Sequence, residues 1–151
     1  MGDYKSKKRI TAKNKVNPKQ ITSKEDLAYY SKYPSWVFHD LDSLKWTYTQ
    51  DEFWNEIYPK LKMYETQTWH EIFIDAKKQN HKIDNLTSFN KVALNRLNEL
   101  QIENGSILSL RLSGTHRLYG FMTDSAFHIL WYDKEHGDND YCVCRSRMSH
   151  T

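Results

Sequence analysis

The spacing of apolar residues changes at Gly105, and that change constrains the fold more than any short motif. Beyond it, Ile107, Leu108 and Leu110 lead into Ser113-Gly114. Leu118, Tyr119 and Phe121 then lead into Thr123-Asp124-Ser125, and Phe127, Ile129, Leu130 and Trp131 follow. Short alternating runs joined by tight polar links suit an antiparallel meander with buried side chains. Before Gly105 the period is helical. Thr49 and Glu52 have the separation of a capping box ahead of Phe53, Trp54, Ile57, Tyr58 and Leu61. Thr68 and Glu71 repeat it ahead of Trp69, Ile72, Phe73 and Ala76, which predicts a second helix to about Gln79. Ser88 caps a predicted third helix with Val92, Leu94, Leu97 and Leu100 facing inward. Pro59 should end or kink the first helix, because proline has no amide hydrogen to give the preceding turn. Trp36, Phe38 and Leu41 suit a first strand, residues 80–85 a polar link, and residues 141–145 a last edge strand. The expected fold is therefore α+β, with N-terminal helices packed on a C-terminal antiparallel β-meander.

A chain of 151 residues with this apolar content closes one core, so a single domain is expected over residues 31–151. Residues 1–30 form a basic arm. The first 20 residues carry seven Lys or Arg against Asp3 alone, a balance of +6, so the rest of the chain sums to −3 within a total of +3. A like-charged block with few large apolar residues cannot offset the entropy of ordering it, and flexibility is expected there. Lys5, Lys7, Lys8, Arg9, Lys13 and Lys15 are the candidate RNA-phosphate contacts. No apolar run approaches the roughly 20 residues of a membrane span, and no apolar secretory region follows the start. A cytoplasmic protein with no membrane partner is expected. Cys142 and Cys144 stand one residue apart, a spacing that rarely makes an unstrained disulfide in a strand, so reduced thiols are expected.

Arg117 and Tyr119 lie two apart in a period-two run and share a face, with Leu118 turned away. The link at Ser113-Gly114 folds Arg111 back toward His116 and Arg117, and an adjacent register brings His128 within reach. Arginines can brace a phosphorane and histidines can move protons near neutrality, which suits attack of a ribose 2′-hydroxyl on its own phosphate without metal. The plain structural alternative is a set of ordinary cross-strand pairs and a half-buried ring. His136, just past the third run, is a candidate general acid, alone or paired with Asp133; the competing reading is a loop ion pair. His136, Cys142, Cys144 and His150 offer the nitrogen and sulfur ligands zinc prefers. Their spacing is unlike the two close pairs of structural zinc sites, and Cys-x-Cys fits an inward-facing edge strand equally, so no metal or other cofactor is expected.

The segment Ile107-Leu-Ser-Leu-Arg-Leu-Ser-Gly-Thr-His-Arg-Leu-Tyr-Gly-Phe, followed by Phe127-His-Ile-Leu-Trp, resembles the small ribonuclease toxins of the RelE/ParE superfamily over about residues 86–136. That resemblance implies a RelE/ParE-like fold and a toxin-type endoribonuclease of messenger RNA. Arg111 and Arg117 would be its phosphate contacts, with Tyr119 beside them, and the ribosome and a cognate antitoxin its partners. The family's frequent lysine-rich C-terminal strand is replaced here by Trp131, Tyr132, Asp133 and His136. The candidate catalytic set is then Arg111, His116, Arg117, Tyr119, His128 and His136. A second reading is a noncatalytic protein-binding module, or an antitoxin-bound toxin-fold relative without nuclease activity, because Tyr29, Tyr30, Tyr33, Trp36, Trp46 and Trp54 exceed what a small core needs and aromatics favour interfaces. DNA binding is disfavoured, since the body is negative and no helix carries a basic face.

Overall fold

A computed structural model describes residues 28–102, 106–136 and 142–144. Strands β3 (Ile107–Ser113), β4 (His116–Thr123) and β5 (Ala126–Asp133) pair consecutively and antiparallel. Two further strands extend this unit. β2 (His81–Ile83) adds antiparallel to β3, and β1 (Ser35–Val37) adds parallel to β5, giving the order β1-β5-β4-β3-β2. The antiparallel meander with N-terminal helices, and the RelE/ParE-like arrangement with it, is thus corrected to a five-stranded mixed sheet with little helix. The reason lies in the connections. Most of the chain separates β1 from β5, so no tight turn dictates antiparallel pairing, and the parallel register sets Trp36 opposite Phe127. There the indole meets Trp69 and Phe127 edge-on, at centroid distances of 5.8 and 5.9 Å.

Both sheet faces are covered. On one, Leu108, Leu110, Leu112, Leu118, Phe127, Ile129 and Tyr132 pack against Ile57, Leu61, Tyr64, Trp69, Ile72 and Phe73. On the other, Ile107, Tyr119, Leu130 and Trp131 pack against Phe89, Ala93, Leu97 and Val143. Tyr29 and Tyr30 also lie against the first of these cores.

The helical elements are short. α1 (Gln50–Glu52) opens on a complete capping box, with the Thr49 amide donating to Glu52 Oε1 at 2.9 Å and the Glu52 amide to Thr49 Oγ1 at 3.1 Å. Its helix then widens through a π-helical turn (Phe53–Ile57) into α2 (Tyr58–Tyr64), whose first turn contains Pro59. Proline does not end the helix because the wider turn is a local adjustment that accommodates its missing amide hydrogen and its ring. The predicted second helix opens on its Thr68 and Glu71 pair, the Thr68 amide donating to Glu71 Oε1 at 2.8 Å and the Glu71 amide to Thr68 Oγ1 at 3.3 Å. It ends in a π-helical turn at Glu71–Asp75 rather than near Gln79, and β2 follows where a polar link was expected. α3 (Lys91–Glu99) is capped by Asn90, whose Oδ1 accepts from the Ala93 amide at 2.7 Å, rather than by Ser88. Moving the cap rotates the buried face onto Ala93 and Leu97 and leaves Val92 half exposed. Of the expected last edge strand, Cys144 forms a single bridge to Phe89. Among the described residues no helix is long and apolar enough to cross a membrane.

Candidate functional site at the arginine end of the sheet

Arg111 of β3 and Arg117 of β4 are direct cross-strand partners, so their side chains emerge side by side from one face. Arg111 is held by Asn80, a buried side chain that prolongs the ladder past the end of β2. Its Oδ1 accepts from the Arg111 amide at 2.8 Å while its Nδ2 donates to the Ile72 carbonyl at 3.0 Å. The Tyr64 hydroxyl donates to the Arg111 carbonyl at 2.5 Å. Arg117 folds back over the hairpin, Nη1 donating to the carbonyls of Gly114 at 2.6 Å and His116 at 3.0 Å. Burial pushes the Arg117 pKa down, and the Arg111 charge adds to the shift. Among the described residues neither guanidinium lies within ion-pair distance of a carboxylate.

Four other groups border this pair. His81 is opposite Ser109, two residues along β3 from Arg111, and its pKa is lowered first by partial burial and then by the Arg117 charge. Burial likewise raises the Tyr64 and Tyr119 phenols above their usual range. Tyr119 lies almost wholly inside, its hydroxyl 3.4 Å from His136 Nδ1. Asp133, the cross-strand partner of Arg117, is fully buried, and burial pushes its pKa up to about 6 although the amides of Val143 and Glu135 donate to it at 3.0 Å each.

The structure divides the set that the sequence grouped. Arg111, Arg117, Tyr119 and His136 share one face at one end. His116 lies on the opposite face, its Nδ1 hydrogen-bonded to the Tyr132 hydroxyl within the other core. His128 sits at the far end of the sheet, its Nδ1 2.7 Å from Asp40 Oδ2 and its ring stacked on Phe121 at 4.7 Å. Lys5, Lys7, Lys8, Arg9, Lys13 and Lys15 lie outside the described residues, as does His150. No pattern in the sequence singles out His81 or Asn80, because β2 has three residues and one apolar side chain, too little to show a period. The only signal was a histidine and an asparagine bounding that short run.

The cysteines also depart from expectation. Cys142 and Cys144 form a disulfide rather than free thiols, because the chain bends at Val143 and brings their Cα atoms to 5.3 Å, inside the bridging range.

Comparison with family models, with characterised proteins and with solved structures returned no match.

Proposed function

We propose that this chain is a toxin-type endoribonuclease that needs no metal and holds the scissile phosphate between Arg111 and Arg117. The supporting observation is that pair itself: two partly buried guanidinium groups placed directly opposite, with no carboxylate within ion-pair distance of either among the described residues. Like charges in that position cost stability, and a bound anion would relieve the cost while using the planar fork of each guanidinium. His81, whose pKa is lowered by partial burial and by the Arg117 charge, takes the proton of the ribose 2′-hydroxyl. The 2′-oxygen attacks phosphorus, the arginines stabilise the charge that develops, and the 5′-oxygen leaves with a proton from solvent. The products carry a 2′,3′-cyclic phosphate and a free 5′-hydroxyl. Likeness of the Leu110 to Tyr119 segment to ribonuclease toxins supports RNA as the polymer. In that reading the chain works in the cytoplasm on messenger RNA, at the ribosome, and is restrained by a cognate antitoxin.

Incubation of the oxidised protein with end-labelled RNA in excess chelator should give cyclic-phosphate ends. A 2′-deoxy linkage should resist, and Arg111→Ala or Arg117→Ala should slow cleavage by about 100-fold, the usual effect of removing one charge-stabilising group. Induced expression should arrest growth, with Arg117→Ala relieving the arrest. Cleavage unchanged in both arginine variants would remove this site.

A noncatalytic binding module is the second reading, favoured by Trp54, which is 58% exposed and clusters with Phe53 and Tyr58. A protein partner retained by wild type and lost by Trp54→Ala, with no RNA cleavage, would select it.

A further inference from the structure

A second cluster lies where the 142–144 segment meets the end of β5. His136 Nδ1 is 3.8 Å from Cys142 Sγ and 3.9 Å from Cys144 Sγ, and the three atoms lie within 4.8 Å of one another. Tetrahedral zinc with its ordinary bond lengths sets sulfur and nitrogen ligands about 3.6 Å apart and two sulfurs about 3.8 Å apart. The nitrogen is therefore already near its place. Only the sulfurs must part.

A further contact favours thiolate at this position. The Cys144 amide donates to Cys142 Sγ at 3.2 Å, an interaction that stabilises negative charge on sulfur whether or not a metal is present. The segment is also pinned from behind, since the Val143 amide donates to Asp133 Oδ2 at 3.0 Å. Its backbone is thus held while the sulfurs change partners.

We propose that the reduced protein binds one zinc ion through Cys142, Cys144 and His136, with solvent in the fourth position, and that the disulfide is the oxidised, metal-free form of the same site. A dithiol reductant supplies two electrons and two protons to the Cys142–Cys144 bond and leaves as its own disulfide. The two thiols then release two protons as their sulfurs bind the ion. Oxidation by a disulfide-bearing compound runs the sequence backwards and expels the metal. The two forms differ in what they fasten. A disulfide between residues two apart closes only a tiny loop, whereas the ion ties the segment to His136 at the end of β5.

Anaerobic titration of phosphine-reduced full-length protein with cobalt(II) tests this directly. The expected result is one-to-one binding with thiolate-to-cobalt charge transfer and the intense visible bands of tetrahedral cobalt, all displaced by zinc. Oxidised protein should give neither. His136→Ala should weaken zinc by more than about 10-fold, the least that losing even an outer-shell partner costs. Cys142→Ser together with Cys144→Ser should abolish the charge-transfer band while circular dichroism reports an intact sheet. Reduced wild type that is folded, has two titratable thiols and shows no such band would overturn the proposal. So would a reduced chain that unfolds and is not refolded by zinc. Ribonuclease activity of the oxidised protein in chelator is a separate readout, so the two proposals fail independently.

Discussion

Asp42 is almost fully buried under the loop that follows β1, and its carboxylate accepts from five donors. Arg96 Nε and Nη2 reach it at 2.8 and 2.9 Å, Trp131 Nε1 at 2.9 Å, and the amides of Leu44 and Lys45 at 2.9 and 3.2 Å. Burial alone would raise its pKa, but these bonds outweigh it and hold the group at about 2. The same contact raises the Arg96 pKa. Asp42→Ala leaves the Arg96 guanidinium only its surface partner Glu99, at 2.8 Å, and removes the acceptor of the buried Trp131 indole, so urea denaturation at neutral pH should show a loss of about 3 kcal/mol, the low end for breaking a buried pair. An unchanged midpoint would mean that Arg96 is solvated and the network contributes little. None of this was legible, because Arg96 and Trp131 stand 54 and 89 residues from Asp42. The Thr49 and Glu52 box was legible because both partners lie within one helical turn.

At the level of elements, β5 keeps both faces apolar by breaking its own alternation. The register runs from Tyr119 opposite Trp131 to Gly120 opposite Ile129, which leaves Leu130 as an extra residue. Leu130 and Trp131 can then both enter the α3-side core while Ile129 and Tyr132 enter the other. The Leu130 carbonyl accepts from the Asp42 amide at 3.0 Å, so the bulge is satisfied. Gly120 makes the close approach possible, for a Cβ there would stand 2.0 Å from the His128 carbonyl and 2.8 Å from the Phe127 ring. Gly120→Ala should therefore cost about 3 kcal/mol or more, the upper end of overpacking penalties, and lower the thermal midpoint accordingly. A stability within error of wild type would show that the bulge can migrate. The three strand positions were readable from period-two runs. The bulge was not, since the continuous apolar run from Ile129 to Tyr132 has no alternation to interrupt. The strand at Trp36 was readable too, but its parallel pairing with β5 was not, because no local turn joins the two strands and sets their direction.

Across the whole molecule, two buried carboxylates at opposite ends of the charge balance should give stability a pH dependence with opposed slopes. Asp42 has a folded pKa of about 2 against an ordinary 3.8, so the unfolded chain binds its proton more readily. Its contribution is complete above about pH 4 and fades as pH falls toward 2, worth about 2 kcal/mol in all. Asp133 runs the other way. Its folded pKa of about 6 exceeds the ordinary 3.8, because burial raises it more than the amides of Val143 and Glu135 lower it. The folded chain then holds that proton more tightly, so its contribution is complete below about pH 4 and is lost as pH rises through 6, about 3 kcal/mol in all. Subtracting the stability of Asp133→Asn from that of wild type should thus leave a curve that falls between pH 4 and 6 and is flat outside that window. The same subtraction for Asp42→Asn should rise between pH 2 and 4. A flat Asp133 curve would mean that its carboxylate is ionised at little cost in the folded protein, the amides of Val143 and Glu135 then offsetting its burial.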